Sequence, residues 1–496
     1  IVNIKEVLEK KYNSYQGNAD LYIYFYELGI NILKKNGLLS YIAPNKWIQS
    51  KYGENLRLFI GNNLQLLSFV DFGEAKIFED AGTFPSIAIL KKSNADFILK
   101  YCEITDLNQI KNGNISNSEI TSISSKSLKI KDWILKDEYT TKLIKRLKLK
   151  HKTIGQIFDN QFLAGIKTGA NKLFIFSKKE VETITNNTSS EKEIFKPIFF
   201  GKNIEKFRIK NSQQFVFFPY KFIEGKQEKI NLENYPNTYS YFIKNQDLLI
   251  NRAIIKDGYP KGTHLWYELQ QVNKFFDYNL PKIVYPDIAI ENRFSIDYTG
   301  GIPDMTCFFI PTSDVSFLPI LNSKTFKFLA SNFCPILGNI KNGGRIRYKS
   351  SYLAKIPFPE VKQNQELIKY ANFRNAQQNN IEKLIFQLSN YFKSKYPIEK
   401  LSNKLQNWHE LEFGEFTKEL NKAIKKVNKE RAKNGETLVE VLTKSDEMEW
   451  MELFNTKKEE AQALKIQIDQ TDREIDQMVY KLYELTDEEI GIVEGS

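Results

Sequence analysis

The chain of 496 residues is longer than one hydrophobic core usually supports, so we expect about three domains, and its 42% hydrophobic and 26% charged residues are ordinary for a soluble globular protein. No apolar run approaches the roughly 18 residues that cross a bilayer, and no signal peptide opens the chain, so we expect a cytoplasmic protein without membrane contact. The net charge is +11, and three scattered cysteines and three isolated histidines argue against a disulfide framework and a metal site.

The amino-terminal part alternates between helical and strand-like patterns. Residues 20–35 have helical spacing and end at Asn36-Gly37; the spaced apolar positions are Leu21, Tyr24, Phe25, Leu28, Ile32 and Leu33. The following pattern predicts a strand, a helix and three strands, over 38–43, 46–62, 64–71, 85–91 and 96–103. This order is typical of the second half of a mixed α/β sheet. Because parallel strands need neighbours on both sides, we expect the first half to precede Ile1.

The remaining sequence changes character three times. A loop rich in Asn, Ser and Thr over 108–127 and a basic amphipathic helix over 132–150 form a connection. Short strand-like runs at 172–177, 215–219, 282–285 and 306–310 then predict a mixed α+β domain, and the sequence is mostly helical from about residue 363. We therefore expect four parts, over 1–104, 105–150, 151–362 and 363–496.

The helical tail contains a heptad seam. Its positions alternate by three and four and are Ala461, Leu464, Ile468, Thr471, Ile475, Met478, Leu482 and Leu485. We expect its partner to be another helix of the same tail, over 382–393 or 416–431, and the protein to be a monomer. A dimer is the alternative.

Charge is distributed unevenly along the chain. Residues 151–400 carry 35 basic and 22 acidic side chains, whereas residues 401–496 carry 14 basic and 22 acidic ones. A basic middle part suits a polyanionic partner such as DNA. The alternative is a lysine-rich composition without such a partner.

Several stretches along the chain carry a family resemblance. The first two read YQGNADLYIYFYELGINILKKNGLLSYIAPNKWI and VDFGEAKIFEDAGTFPSIAILKK, and later ones read GIKTGANKLFIF, FFGKNIEKF, WYEL, KIVYPDIA, GGRIRYKSSYLAKIPFP and DREIDQMVYKLYELTDEEIGIVEG. In this order they resemble the Taq-type and Eco57I-like adenine-N6 DNA methyltransferases of restriction–modification systems. The first two are similar to the region that follows the family's catalytic Asn-Pro-Pro-Tyr loop, and the later ones to its carboxy-terminal specificity domain. No single motif is decisive, but their order is specific and covers nearly the whole chain.

The resemblance implies the carboxy-terminal half of an S-adenosylmethionine-dependent methyltransferase sheet, followed by a mixed α+β target-recognition domain and a helical tail. It implies double-stranded DNA as the partner, a target base that is flipped out of the helix, and no metal. The sequence departs from the family in one respect: neither Asn-Pro-Pro-Tyr nor a glycine-rich cofactor loop occurs in it. We therefore expect no S-adenosylmethionine bound to this chain alone, and no methyl transfer by it alone.

Two aromatic residues are candidates for stacking on the flipped base. Phe78 lies where the resemblance places such an aromatic, and Phe84 is the second candidate. Stacking on a base contributes roughly 1–3 kcal/mol. The alternative role for Phe78 is to close the edge of the sheet as a core residue.

Two glycine-containing stretches are candidates for phosphate contact. The first, over 165–172, offers Lys167, Thr168, Asn171 and Lys172. The order of a Walker loop is absent from it, and a plain hairpin turn is the alternative. The second stretch, over 201–204, offers Lys202, with a capped turn as the alternative.

Two further stretches are candidates for DNA recognition. In YPDIAIENRF, Arg293 can read guanine and Asp287 can accept from cytosine, although an ion pair within the sheet is the alternative. The stretch over 343–349 is the densest basic run, and we expect its Arg345, Arg347 and Lys349 to alternate on one face of a strand. A solvated charge run is the alternative there.

Other functions remain open from the sequence. The chain could be a non-catalytic nucleic-acid-binding protein derived from a methyltransferase, or a scaffold that uses the acidic tail. A nuclease centre at Asp287 and Glu291 is disfavoured, because their spacing is too short and no lysine follows where a nuclease needs one. Attachment of a nuclease domain upstream stays open.

Overall fold

The computed structural model describes residues 2–73, 77–78, 83–104, 110, 120–131, 133–337 and 344–495. These residues form a five-stranded mixed sheet, several smaller sheets with surrounding helices, and a long helical tail. The predicted fold class, α/β followed by mixed α+β and a helical tail, is confirmed. Within the described residues, no helix is both long and apolar enough to span a membrane.

The first part is built on the five-stranded sheet. Its elements are α1 (Val2–Lys11), α2 (Tyr22–Ile32), β1 (Leu38–Pro44), α3 (Glu54–Asn63), β2 (Gln65–Asp71), β3 (Pro85–Lys91), β4 (Ile98–Glu103), β5 (Thr121–Ser124) and α4 (Glu138–Lys150). The strand order is β1-β3-β2-β4-β5. Strand β3 is antiparallel to both neighbours, and β2 is parallel to β4. Among the described strands β1 pairs with β3 alone, so one of its edges is open.

The structure differs from two predictions in this part. The helix predicted over 46–62 consists of two 3-10 turns followed by α3, and the chain packs tightly where they meet. A Cβ atom on Gly53 would lie 1.9 Å from the Trp47 carbonyl oxygen, and the buried Arg57 side chain donates to the carbonyls of Trp47 and Ser50. Strand β5 lies within the predicted loop over 108–127, with Ile123 as its buried residue.

Helix α2 has the predicted spacing, but most of its spaced apolar residues face outward. Its buried residues include Ile23, Tyr26 and Ile30, which join the core of the sheet, and the predicted position Tyr24. The outward stripe of α2 consists of Leu21 (59% exposed), Phe25 (57%), Leu28 (37%) and Ile32 (78%). An apolar helical stripe normally faces a core. Since α2 packs against the edge strand β1, the first part has an uncovered apolar surface near an open sheet edge.

The middle part contains short strands and short helices. Its helices are α5 (Ile154–Ile157), α6 (Asn171–Phe174), α7 (Lys178–Ile184), α8 (Ser189–Lys192), α9 (Pro236–Ile243), α10 (Gln246–Ile250), α11 (Ala253–Gly258), α12 (Phe317–Leu321), α13 (Lys324–Phe333) and α14 (Ser350–Leu353). Its strands are β6 (Leu163–Ala164), β7 (Ile175–Ser177), β8 (Phe195–Phe199), β9 (Ile204–Glu205), β10 (Arg208–Ile209), β11 (Gln214–Phe217), β12 (Tyr220–Ile223), β13 (Lys226–Lys229), β14 (Lys282–Pro286), β15 (Ile288–Ala289), β16 (Ser295–Asp297), β17 (Ile302–Pro303), β18 (Cys307–Pro311), β19 (Ile336–Leu337) and β20 (Arg345–Arg347).

Strand β14 separates two hydrophobic cores in this part. Its Ile283 and Tyr285 side chains belong to one core and its Val284 side chain to the other, because successive side chains of a strand point to opposite faces. The sheets around it have the orders β16-β14-β18-β6, β17-β8-β11-β7 and β15-β20-β19. The strand predicted over 172–177 begins with the helical turn α6. The Thr168 hydroxyl, which accepts from the Ala170 amide at 3.1 Å, turns the chain just before α6.

The tail consists of α15 (Gln365–Lys395), α16 (Asn403–Gln406), α17 (Phe413–Lys433), α18 (Lys444–Leu482) and α19 (Asp487–Glu494). Helices α15 and α18 pack antiparallel, with Arg374 bonded to Asp472 at 2.8 Å and Tyr370 bonded to Glu474 at 3.3 Å. The heptad seam thus packs on the first half of α15. The two predicted partner segments instead pack on the first half of α18, which carries Trp450 and Phe454.

The end of the tail is part of a core of the middle part. Ile475, Val479 and Tyr483 lie in the same buried cluster as Ile283 and Tyr285. The Tyr483 hydroxyl donates to the Pro357 carbonyl at 3.0 Å. The proposed boundary at residue 362 therefore separates segments in sequence that share one hydrophobic core in space.

A buried ion pair links strands β14 and β16. The Lys282 ammonium lies 2.6 Å from the Asp297 carboxylate, and both side chains are at most 2% exposed. Lys282 also donates to the Tyr278 carbonyl at 2.8 Å. Burial lowers the pKa of Lys282, while the Asp297 charge acts in the opposite direction. Each charge therefore depends on the other for its place in the core.

We expect Asp297→Asn to lower the local unfolding free energy around β14 by about 3–5 kcal/mol, because it leaves the Lys282 charge buried without its partner. Native-state hydrogen exchange of the β14 amides measures this free energy. Lys226→Met is the control: it removes an exposed pair with Glu228, and we expect a change below about 0.5 kcal/mol. Equal effects of the two variants would contradict the assignment.

Candidate nucleic-acid interface

A turn over residues 304–306, called here the central turn, joins three of the candidate stretches. The Ile166 amide donates to Pro303 immediately before it, at 2.9 Å. The Gly201 amide donates to the Thr306 hydroxyl at 2.8 Å, and the Asp287 amide donates to the Thr306 carbonyl at 2.8 Å. The stretches over 165–172 and 201–204 and the YPD segment therefore meet in space, although they are far apart in sequence.

The central turn is held internally as well. The Asp304 carboxylate accepts from the Thr306 amide at 3.0 Å and from the Thr306 hydroxyl. Burial raises the pKa of Asp304, although the Thr306 hydrogen bonds and the Lys202 charge oppose the rise. A Cβ atom on Gly165 would lie 1.9 Å from the Asp304 carbonyl oxygen. Glycine at position 165 is therefore required for the close approach of the two backbones.

The side chains of the glycine-containing stretch over 165–172 have different roles. The Lys167 backbone forms two hydrogen bonds of 3.0 Å with the Gln271 backbone. The Lys167 side chain is half-buried. Thr168 is 3% exposed, and its hydroxyl donates to Asn171 at 2.5 Å. Asn171 and Lys172 are exposed. Thr168 thus shapes the loop, while the two lysines remain available to a ligand.

The buried Arg252 side chain binds the backbone of this stretch, a role that the sequence did not indicate. Its guanidinium donates to the carbonyls of Leu249 at 2.8 Å, Thr168 at 2.7 Å and Trp266 at 2.7 Å. It also lies over the Phe174 ring, 4.7 Å from the centroid. Burial lowers the pKa of Arg252 to about 10. No local pattern marks this residue, because its main partners come from distant parts of the chain.

The basic run alternates along β20 and beyond as the sequence predicts. Arg345, Arg347 and Lys349 are exposed, whereas Ile346 and Tyr348 between them are buried. The strand lies between β15 and β19, so Arg345 and Arg347 share one face of a three-stranded sheet, and Lys349 follows just beyond the strand. Position 343 of the run lies outside the described residues.

Asp287 forms an ion pair within the sheet, which is the alternative that the sequence left open. Its carboxylate lies 3.5 Å from Arg347, so the pair joins the YPD segment to the basic strand. Arg293 follows Asn292, which accepts from the Tyr348 hydroxyl at 2.7 Å on the buried side of β20. The structure therefore brings Lys167, Lys202, Asp287 and Arg347 to the surroundings of the central turn, whereas Arg293 is half-buried beside Asn292.

The two aromatic candidates lie in the first part. Phe78 is 45% exposed. The Phe84 carbonyl accepts from the Asn45 amide at 2.8 Å, and the Lys46 ammonium lies 5.7 Å from the centre of its ring. The Asn45 side chain also donates to Asp71 at 2.6 Å, so Phe84 is held where β1 and β2 end. Within the described ranges, no group of three or more His, Cys, Asp or Glu side chains has a metal-binding arrangement.

Comparison with protein-family models gives three matches. Residues 2–78 match the Eco57I restriction-modification methylase. Residues 196–358 match the TaqI-like C-terminal specificity domain, and residues 360–479 match a domain of unknown function, DUF8810. The predicted resemblance to Eco57I-like restriction–modification methyltransferases with a C-terminal specificity domain is thereby confirmed.

Three curated relatives agree with these matches. The Type II methyltransferase M.BstVI of Geobacillus stearothermophilus is 24% identical to this chain. The matched region covers 71% of this chain and 63% of M.BstVI. The Type II methyltransferase M.BanIII of Aneurinibacillus aneurinilyticus is 26% identical to this chain, and the match covers 80% of this chain and 72% of M.BanIII. The Type II restriction enzyme and methyltransferase RM.Eco57I of Escherichia coli is 24% identical to this chain, and the match covers 72% of this chain and 38% of RM.Eco57I. The chain thus spans only part of the length of each relative.

We expect Arg252→Ala to expose the stretch over 165–172, because the hydrogen bonds of a buried guanidinium are among the strongest in a protein. Hydrogen exchange of these amides should accelerate by about 100-fold, as expected for a loss of roughly 3 kcal/mol. Arg431→Ala is the control, since its Nε donates to the Thr437 carbonyl in the tail. Unchanged exchange over 165–172 in Arg252→Ala would show that Arg252 does not hold the stretch.

Proposed function

We propose that this chain is the target-recognition part, together with the base-facing end of the catalytic domain, of an adenine-N6 DNA methyltransferase of a restriction–modification system. The convergence of cationic segments on the central turn carries the proposal. Lys202, Asp287 and Arg347 of this surface lie within the residues that match a specificity domain. The activity belongs to the whole protein and requires S-adenosylmethionine.

The exposed cations provide the affinity for DNA in this proposal. Arg345 and Arg347 of β20 and Lys349 just after it contact phosphates. Lys172, Lys202 and the half-buried Lys167 extend the contact around the central turn. Phosphate contacts position a protein on DNA but carry no sequence information. Sequence reading therefore falls to groups at the centre of this surface, of which Asp287 is one: its carboxylate is able to accept from cytosine when Arg347 turns to a phosphate.

The first part supplies one wall of the pocket for the flipped base. Phe84, which the ends of β1 and β2 hold in place, and the exposed Phe78 are the two stacking candidates. Unstacking a base from the duplex costs a few kcal/mol. Stacking on one aromatic ring offsets roughly 1–3 kcal/mol of that cost.

The described residues of this chain do not fit S-adenosylmethionine by themselves. Asn45 and Asp71, the polar groups where β1 and β2 end, are bonded to each other. The sequence has neither a glycine-rich cofactor loop nor Asn-Pro-Pro-Tyr. We propose that the half of the sheet that carries these motifs pairs with the open edge of β1 and covers the outward stripe of α2. Without that half, this chain does not transfer methyl groups.

A second candidate is a non-catalytic nucleic-acid-binding protein. The absence of Asn-Pro-Pro-Tyr from all 496 residues favours it. It shares the DNA-binding surface with the first proposal but needs no cofactor-binding half. Methyl transfer after addition of that half separates the two.

We expect this chain to select a defined consensus that contains adenine from a random pool of DNA duplexes. Its affinity should fall as salt rises, because bound phosphates release counterions. The variants Arg345→Ala and Lys349→Ala should each reduce the slope of log affinity against log salt by about one. Sequencing of bound duplexes and binding titrations at several salt concentrations provide the measurements.

Lys425→Ala is the matched control for these variants, because it removes an equally exposed cation from α17 in the tail. Its salt slope should equal that of the unmodified chain. Salt-sensitive binding without a consensus would contradict sequence reading by this chain. A slope that changes equally in all three variants would contradict the assignment of the basic strand.

We expect methylation of the selected site only after addition of a separately produced polypeptide that carries the cofactor loop and Asn-Pro-Pro-Tyr. Phe25→Asp and Ile32→Asp should each weaken that assembly at least about tenfold, since each places a charge in an apolar interface. Phe373→Asp on α15 is the control, because Phe373 is 54% exposed. Methylation by this chain alone would contradict the proposal, as would equal assembly of the stripe variants and the control.

A further inference from the structure

An exposed methionine lies at the middle of the central turn. Met305 is 55% exposed, and Thr306, the residue after it, is bonded to two of the other candidate stretches. Thr306 accepts from Gly201, next to Lys202, and from Asp287, which pairs with Arg347. An apolar side chain therefore emerges among segments that carry cations.

The backbone around Met305 cannot withdraw this side chain into the protein. Asp304 is 6% exposed and bonded to Thr306, and Cys307 is fully buried. The Asp304 amide also donates to the Phe199 carbonyl at 3.0 Å. The position of the residue is thus fixed, while an unbranched thioether side chain with three rotatable bonds adapts to the surface it meets.

A DNA duplex bound by the surrounding cations presents one apolar feature at its base edges. This feature is the C5 methyl group of thymine, which lies in the major groove and distinguishes a T·A pair from the other pairs. Phosphate-bound cations cannot make this distinction. An apolar side chain at a fixed position among them can.

We infer that Met305 is a specificity-determining residue that contacts a thymine C5 methyl group in the major groove. The inference rests on the proposed function, because it requires that the central turn faces DNA. It assigns the sequence reading at one position to a residue that forms no hydrogen bond to a base. Met305 thus reads a base through an apolar contact, whereas Asp287 reads a base through its carboxylate.

The test uses the full chain and its selected duplex, with each thymine replaced in turn by uracil, which lacks the methyl group. The unmodified chain should lose about fivefold in affinity at one position, as expected for the loss of one buried methyl group. Met305→Ala should bind the thymine and uracil duplexes equally at that position and relax the consensus there. Met451→Ala is the control, since Met451 is a similarly exposed methionine on α18, at 45%.

The outcomes separate the inference from the proposed function. If the unmodified chain selects no consensus, the proposed function fails, and the inference fails with it. If a consensus exists but no thymine is sensitive to uracil, or if Met305→Ala keeps the sensitivity, the inference alone is overturned. A loss of affinity in Met305→Ala that is equal for every duplex would also overturn it, because that result indicates contact without base discrimination.

Discussion

The close approach of Gly165 to Asp304 is the constraint on which the candidate interface depends. No side chain larger than hydrogen fits at position 165, because a Cβ atom there would overlap the Asp304 carbonyl oxygen. With the two backbones in contact, Thr306 accepts from Gly201 and from Asp287 at the same time. The geometry of the cationic surface thus follows from one steric requirement and a few backbone hydrogen bonds.

Buried charges help to order the middle part of the chain. Arg252 donates to three backbone carbonyls, and Lys282 and Asp297 neutralise each other in the core. Burial of a charged group costs free energy, and its ion pair and hydrogen bonds offset this cost only in one geometry. They therefore favour a single arrangement of the loops.

The two ends of the chain differ in whether their apolar residues are covered by the rest of the structure. The tail returns to the middle part, where Ile475, Val479 and Tyr483 complete a hydrophobic core. The first part instead leaves β1 with an open edge and α2 with its outward stripe exposed. An open edge strand with neighbouring apolar surface is a pairing site for further polypeptide. The tail therefore closes a core, whereas the first part keeps an open sheet edge among the described strands.

The sequence by itself determined the features that depend on neighbours along the chain. It predicted α2, most strands of the first sheet, the alternation of Arg345, Arg347 and Lys349, the helical tail, and the family resemblance. Such features follow from the periods of helices and strands, which are local. Sequence could not show which face of α2 is buried, since both faces carry apolar residues.

Only the tertiary structure decided which distant residues meet. It paired Asp287 with Arg347, bonded the Thr168 hydroxyl within its own loop, and placed Arg252 against a stretch 84 residues away. It also moved the heptad seam onto the first half of α15. These outcomes depend on which segments approach each other when the cores close. That choice is made by packing and by the need to satisfy buried polar groups, and neither leaves a local pattern in the sequence.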